Sequence, residues 1–391
     1  MITDATHDGF ARLSELVKRD GEGGRWLVLT HDNPDPDALA SAAILTRVLR
    51  TALHQKVTAA YGGIIGRAEN REMVKSLRLR FSHIRYLSLK RYRHFALVDT
   101  QHRSGNNQLP SRVIPDIVID HHPVRPNTQS APFHDIRPRY GATATILGEY
   151  MLAAGVRPTH AEATALIYAI RSETQDFARE YTGPDKAIYD HFFPLANHRL
   201  LARIQSPRQP LTYFRNLHED LENLESVDTL IISHLGTVEQ PDIVPEIADL
   251  LLRMEGKTWS LCTGLYGDRL YLSIRTTNTR ADAGSLMHRL LRRRGKGGGH
   301  GRTAGGWVDI SKVPGETDRR RLQRDLGVRL ARELKKSPEK ILKMDLREVK
   351  REAEAPPGGA PRPLKREGKD PTAEPGARPE SAAEEPPAGG S

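Results

Sequence analysis

Three short apolar runs in the first third of the chain end in acid or imidazole. Trp26–Leu29 runs into "THDNPDPDALAS", Phe95–Val98 runs into Asp99, and Ile117–Ile119 runs into Asp120, His121 and His122. Each run is apolar throughout, and helix-like stretches alternate with them. Strands hydrophobic on both faces and alternating with helices predict a parallel sheet covered on both sides. The carboxyl ends of such strands line one edge, where open α/β sheets take their ligands. His31, Asp35, Asp37, Asp99, Asp120, His121 and His122 therefore fall along one edge. Singly, each has an ordinary explanation: aspartate favours turns and N-caps, Asp37 could cap its helix, and paired histidines are often surface residues. Together they pose a charge problem, because buried carboxylates repel one another unless cations neutralise them. Imidazole mixed with carboxylate suits Mn²⁺, Fe²⁺, Zn²⁺ or Co²⁺ better than Ca²⁺. The edge reads as a divalent-metal site.

The pattern extends into two domains. A helix over about 7–20 leads to the strand at 26–30, and a helix runs from Asp37. "KVTAAYGG" reads as a strand and "AENREMVKSLRL" as a helix; after His122 the pattern turns helical. Residues 1–205 form the first domain and 206–225 a connector containing a helix. Residues 226–345 read as a smaller α/β domain. It has a strand at "VDTLIISHLG", a helix at "QPDIVPEIADLLLRMEG" and a hairpin turning at Gly267-Asp268. A helix over 281–293, a glycine cluster and the strand "GGWVDI" follow, then one or two charged helices over about 318–351. The expected fold class is α/β: an N-terminal parallel-sheet domain, a smaller mixed-sheet domain, and a site in the cleft between them. Residues 350–391 are rich in Pro, Ala, Gly and charge, with Leu364 the only large aliphatic side chain. Such a segment cannot offset its ordering entropy and reads as a disordered tail.

Lys and Arg exceed Asp and Glu by ten, which attracts phosphate-bearing partners or simply keeps the chain soluble. A single cysteine, Cys262 in an apolar run, excludes an internal disulfide and reads as core. The first twenty residues lack a signal-peptide core, and no apolar run nears the ~20 residues that span a bilayer. The expectation is a cytoplasmic protein with no membrane partner.

"HDNPDPDALAS", "ALVDT" and "VIDHHP" resemble the first three motifs of the DHH phosphoesterase family. "AIRSETQDF" (169–177) stands where the fourth motif belongs. "KGGGHGRTAGG" is similar to the signature of the DHH-associated C-terminal domain. The resemblance covers about residues 5–315, and the layout looks most like the nanoRNase/pAp-phosphatase group. It implies two Mn²⁺ ions, with Mg²⁺ or Co²⁺ as substitutes. His31 and Asp35 would bind one ion, Asp37 and His121 the other, and Asp99 both. Asp120 would orient its neighbours, and His122 would face the substrate phosphate. The fourth motif normally supplies an aspartate as the last ligand. Here Glu173 occupies that position, and Asp176 is the other candidate.

In the second domain, Arg275 resembles the family's phosphate-binding arginine. Gly298, Gly299, His300 and Arg302 are expected to hold substrate, through an anion nest of exposed N–H groups and side-chain donors. The cluster of Arg289, Arg292, Arg293, Arg294 and Lys296 is expected to take a far phosphate beside the metal site. Aromatic content is only 6%, and long single-strand tracks stack bases on aromatics, so a short substrate is favoured. The combined expectation is a Mn²⁺-dependent phosphohydrolase with a two-metal-activated hydroxide. Its substrate would be a very short RNA oligonucleotide or a nucleotide such as 3′-phosphoadenosine 5′-phosphate, and a homodimer is compatible with it. Three alternatives stand beside it: a cyclic-dinucleotide phosphodiesterase, a RecJ-like single-strand exonuclease, and a nucleotide-binding protein with impaired catalysis.

Overall fold

The computed structural model of the chain describes residues 4–19, 24–178, 180–292 and 294–344. The first part runs α1 (Asp4–Arg19), β1 (Arg25–Asp32), α2 (Pro36–Thr51), β2 (Lys56–Gly62), α3 (Ala68–Ser76), β3 (Ser82–His83), β4 (His94–Val98), β5 (Ile117–Asp120) and β6 (Phe133–Ile136). The helices α4 (Thr143–Ala153), α5 (His160–Glu173), α6 (Gly183–Phe192) and α7 (His198–Gln205) follow. The sheet order is β3-β2-β1-β4-β5-β6, with every pairing parallel. The chain winds outward from β1 through β2 to β3, then returns to lay β4 against the other side of β1. That reversal opens a crevice at the carboxyl ends of β1 and β4.

Alternation along β1 explains why the sheet needs cover on both faces. Trp26 and Val28 pack with α1, α2, α4 and α5, while Leu27 and Leu29 pack with Phe95, Leu97 and Val118 on the other face. Asp35 caps α2, its Oδ1 accepting from Ala38 N–H at 3.0 Å, and Pro36 occupies the first turn, where its missing N–H costs nothing. The opening motif is therefore a strand, a tight corner and a capped buried helix.

After α8 (Leu211–Glu222) come β7 (Glu225–Val227), β8 (Leu230–Thr237), α9 (Ile243–Leu251), β9 (Trp259–Tyr266) and β10 (Arg269–Thr276). Then follow α10 (Ala283–Leu291), β11 (Gly295–His300), β12 (Thr303–Asp309), α11 (Gly315–Glu333) and β13 (Leu342–Lys343). The sheet order is β11-β12-β10-β9-β8-β7-β13; β8 and β9 are parallel and the other pairs antiparallel. Helices α10 and α11 cover one face of this sheet and α9 the other, each over its own apolar core. Cys262 is buried in the α9-side core, as its apolar run implies.

Two elements differ from the sequence reading. The glycine cluster is a strand, β11, paired with β12 from Gly295 to His300, and not a flexible loop with a nest. Its glycines admit close packing: a Cβ on Gly297 would lie 2.7 Å from Leu291 and 2.8 Å from Met287, and one on Gly284 would lie 2.1 Å from the Gly299 carbonyl. Strand β6 interrupts the stretch expected to be helical after His122. Its sequence, "FHDI", carries too little hydrophobic signal to stand out. Of the one or two charged helices expected over about 318–351, the described residues show α11, followed by a 3₁₀ turn and the two-residue β13. The expected tail, residues 350–391, and Arg293 lie outside the described residues. Among the described residues, no helix is long and apolar enough to cross a membrane.

Candidate metal centre

The carboxyl ends of β1, β4 and β5 bring the sequence-selected residues together. Asp99 lies at the centre. It follows β4 directly and has φ of 57°, a left-handed backbone costly for a residue with a side chain and typical of functional sites. His31 Nε2 lies 3.4 Å from Asp99 Oδ2 and 3.8 Å from Asp35 Oδ1. His121 Nε2 lies 3.8 Å from both Asp99 Oδ1 and Asp37 Oδ2, and His122 Nδ1 lies 3.7 Å from Asp99 Oδ1. Two groups of donor atoms converge within 4.8 Å: His31, Asp35 and Asp99; and Asp99, His121 and His122.

Neighbouring backbone sets the orientation of the imidazoles. His31 Nδ1 lies 2.9 Å from the Asp32 carbonyl and His121 Nδ1 lies 3.1 Å from the Tyr140 carbonyl. A carbonyl only accepts, so each Nδ1 carries hydrogen and each Nε2 turns a lone pair toward the carboxylates in the neutral ring. His121 Nε2 is buried with no hydrogen-bond partner. A buried lone pair without a donor is costly, and a cation among these carboxylates would satisfy it.

The carboxylates are also positioned. Asp37 is 1% exposed, and its oxygens accept from the backbone N–H groups of Thr143 (2.8 Å) and Ala144 (2.7 Å), at the amino end of α4. That end favours negative charge. The Thr143 hydroxyl donates to Asp99 Oδ1 at 2.9 Å. Asp120 accepts from His122 Nδ1 at 2.9 Å, from the His122 N–H at 3.1 Å and from Gln101 Nε2 at 2.7 Å. Gln101 is locked in turn by the Thr128 hydroxyl and the Arg125 N–H on its Oε1. Thr143 and Gln101 escape a reading of the sequence: both are common polar residues outside the motifs, and their partners come from distant parts of the chain.

Protonation reports the crowding. Burial, then the charges of Asp99, Asp35 and Glu173, push Asp37 well above the usual carboxylate range. Burial, then Asp35 and Asp99, push Glu173 up to about 7 against the relief offered by His121. Burial works against a charged His31, but Asp35 and Asp99 outweigh it and raise the ring well above its ordinary value. His121 is raised in the same way, chiefly by Asp99 and Glu173. Burial also opposes ionisation of Asp35, yet its hydrogen bond and attraction to His31 hold it low. The carboxylates demand positive charge, and without metal they draw it from protons on neighbouring groups.

Glu173 closes α5 and belongs electrostatically to this cluster. Asp176 instead pairs with Arg171 and has a side chain 66% exposed. Of the two fourth-motif candidates, Glu173 is the one whose charge acts on Asp37 and His121.

The substrate residues expected in the second sheet are only partly assembled. Arg275, Thr303 and His300 are opposite one another across β10, β12 and β11, which gives one row. Arg302 lies at the β11–β12 turn, its carbonyl accepting from Thr276 N–H at 3.0 Å. Arg275 is already engaged: its Nε donates to Asp249 at 2.8 Å, and Nη1 donates to the carbonyls of Ile274 and Ala304. Asp249 is also 3.4 Å from Arg67, which precedes α3 in the first part of the chain. Gly298 and Gly299 are strand residues, so the expected loop nest is not formed there. Arg292 and Arg294 line a cleft of about 680 Å³ with Arg329 and Arg332 of α11. That cleft is on the α10–α11 face, opposite α9 and the Arg67 contact, because the two helix groups cover opposite sides of the sheet. Arg292 and Arg294 thus stand on the sheet face away from α9 and its Asp249, and Arg289 pairs with Glu333 at 2.8 Å.

Residues 25–170 match the profile of the DHH family, N-terminal domain. That stretch holds the strand-end residues His31, Asp35, Asp37, Asp99, Asp120, His121 and His122. An uncharacterized protein of Methanocaldococcus jannaschii is 32% identical over 322 residues, 81% of this chain and 65% of that protein. The chain spans just under two thirds of that relative's length. The structure of an exopolyphosphatase-related protein from Bacteroides fragilis aligns with a TM-score of 0.64 at 14% identity, over 84% of this chain and 98% of the other. That likeness is one of fold. A structure of exonuclease RecJ bound to manganese aligns over 84% of this chain and 95% of its own, with a TM-score of 0.43 and 15% identity.

Proposed function

We propose that the chain is a metal-dependent phosphoesterase that cleaves very short oligoribonucleotides, or removes phosphate from 3′-phosphoadenosine 5′-phosphate. The observation that carries this reading is the convergence of His31, Asp35, His121 and His122 on the buried Asp99, with an unpartnered nitrogen of His121 inside the cluster. The donor set fits two divalent ions, Mn²⁺ foremost. His31 and Asp35 would hold one, Asp37, His121 and Glu173 the other, and Asp99 would contact both. Such ions would supply Lewis-acid charge and lower the pKa of a water molecule.

The chain's own groups perform the remaining tasks. Asp120 and Gln101 fix His122, whose side chain is 42% exposed, so its ring can reach an incoming phosphoryl oxygen and hold a proton there. The amino end of α4 and the Thr143 hydroxyl hold Asp37 and Asp99 in place before substrate arrives. Arg275, Arg302 and His300 would contact the far end of a substrate, provided that phosphate displaces Asp249 from Arg275. The reading is tested with a substrate panel in Mn²⁺: dinucleotides, longer RNA and DNA, phosphoadenosine phosphate and cyclic dinucleotides, followed by product chromatography. Mononucleotide or phosphate release that EDTA abolishes supports it. Turnover confined to cyclic dinucleotides or long DNA replaces the substrate assignment, and metal-independent turnover refutes the mechanism.

A further inference from the structure

A second concave surface adjoins the corner that carries His31 and Asp35. It is a cleft of about 520 Å³ at the carboxyl ends of β2 and β3. The two features share backbone. Gly62 pairs with Asp32 across β1 and β2, the Asn33 N–H donates to the Gly62 carbonyl at 3.0 Å, and the Ile64 N–H donates to Asn33 Oδ1 at 2.9 Å. Asn33 stands between His31 and Asp35, so the wall of the cleft and the metal corner form one rigid turn.

The lining has a mixed chemistry. Tyr61, His83 and Tyr86 give it an aromatic side. Tyr61 and His83 meet edge to face at 5.2 Å between ring centroids, and His83 and Tyr86 do so at 5.8 Å. His83 is held at both ends: Nδ1 accepts from the Arg85 N–H at 3.1 Å, and Nε2 donates to the Gly63 carbonyl at 3.0 Å. Tyr86 is 73% exposed, an unusual exposure for a large ring, and the Arg85 guanidinium lies 4.5 Å from its centroid. Ile64, Ile65 and Val74 supply apolar wall, and Arg71, Lys75 and Arg85 supply positive charge. Among the described residues, no carboxylate lines the cleft.

We propose that this cleft is a nucleoside-binding subsite, in which Tyr86 and its aromatic neighbours take a base by stacking while Arg85 and Lys75 face the adjoining phosphate. Aromatic rings interleaved with cations are the means by which proteins hold single-stranded nucleic acid without reading its sequence. A protein-docking patch would have no need of three cations and no acid beside the metal corner. The inference rests on the nucleotide reading given above, and it supplies what that reading lacks: a place for a base next to the scissile phosphate.

The test is calorimetric binding of tetra-adenylate to the full chain in EDTA, so that no turnover occurs, for the wild type, Tyr86→Ala, Tyr86→Phe and Arg85→Gln. Tyr86 is exposed, so its substitution carries little folding risk, and circular dichroism checks this. Loss of one stacked base weakens binding by ~5- to 150-fold, so Tyr86→Ala should fall in that range while Tyr86→Phe stays close to wild type. Arg85→Gln should weaken binding and flatten its salt dependence. The inference is overturned if the wild type binds no tetra-adenylate, if both Tyr86 variants bind like wild type, or if both lose binding equally. Equal competition by inorganic tripolyphosphate would also overturn it, by showing a phosphate site without base recognition. If Tyr86-dependent binding appears but no member of the substrate panel is cleaved, the enzymatic reading fails alone. If cleavage occurs but binding ignores Tyr86, only the subsite fails.

Discussion

Replacing Glu173 with glutamine should move stability and metal affinity in opposite directions. Burial and the charges of Asp35 and Asp99 raise the Glu173 carboxyl from an ordinary 4.5 to about 7 in the metal-free protein. At roughly 1.4 kcal/mol per pH unit, ionising it within the folded cluster costs about 3 kcal/mol, an upper figure because relaxation and water reduce it. The sign follows from linkage. Between pH 4.5 and 7 the unfolded chain has released this proton and the folded chain retains it, so folded-state stability falls as pH rises through that window and levels off above it. Glutamine lacks the charge. Denaturant unfolding in EDTA should therefore find Glu173→Gln more stable than wild type at pH 8, by ~1–3 kcal/mol, and nearly equal to it at pH 5. Calorimetric titration with Mn²⁺ should show the reverse order, with affinity reduced on the order of tenfold or more. A variant destabilised at pH 8 without metal, or one that binds Mn²⁺ like wild type, would refute the placement of Glu173 among the ligands.

Other expected outcomes follow from the same geometry. Asp99→Ala removes the carboxylate that faces His31, His121 and His122, and should reduce turnover by more than the ~10- to 100-fold typical of losing a ligand's outer partner; steady-state kinetics in saturating Mn²⁺ measure this. Gly62→Ala would place a Cβ 1.8 Å from Asp32 Oδ1. Forced movement of that corner should cost ~1–3 kcal/mol in chemical denaturation and weaken metal binding with it. Asp249→Asn releases the Arg275 guanidinium from its 2.8 Å ion pair. If Arg275 binds substrate phosphate, KM should fall several-fold with little change in kcat; a raised KM would assign the pair a structural task.

The legible parts of this molecule were those with local causes. Uniformly apolar strands followed by amphipathic or buried helices specify a parallel sheet, and the position of His31, Asp99 and Asp120 at strand ends then fixes the edge they share. Motif register gave Glu173 the ligand position but left Asp176 open, because only the fold shows Asp176 turned outward onto Arg171. The glycine run misled for a related reason. Glycine permits loops, but here it permits a helix to lie on a strand, and only the contacts of Gly284 and Gly297 with their neighbours distinguish the two. Arg275 was recognisable by its resemblance to a phosphate-binding arginine, whereas its capture by Asp249, 26 residues earlier in sequence, is a tertiary fact. Strand β6 had too few hydrophobic residues to announce itself. Thr143 and Gln101 had no signature at all.

Manganese binding by the metal-free full chain, read by calorimetry beside an Asp99→Ala variant of verified fold, tests the metal centre most directly. Two ions per chain are expected for the wild type, with protons released as the cluster gives up those it had drawn in, and both ions should be weakened in the variant. A wild type that takes up no metal, or a variant that still binds two ions as tightly, would contradict the account.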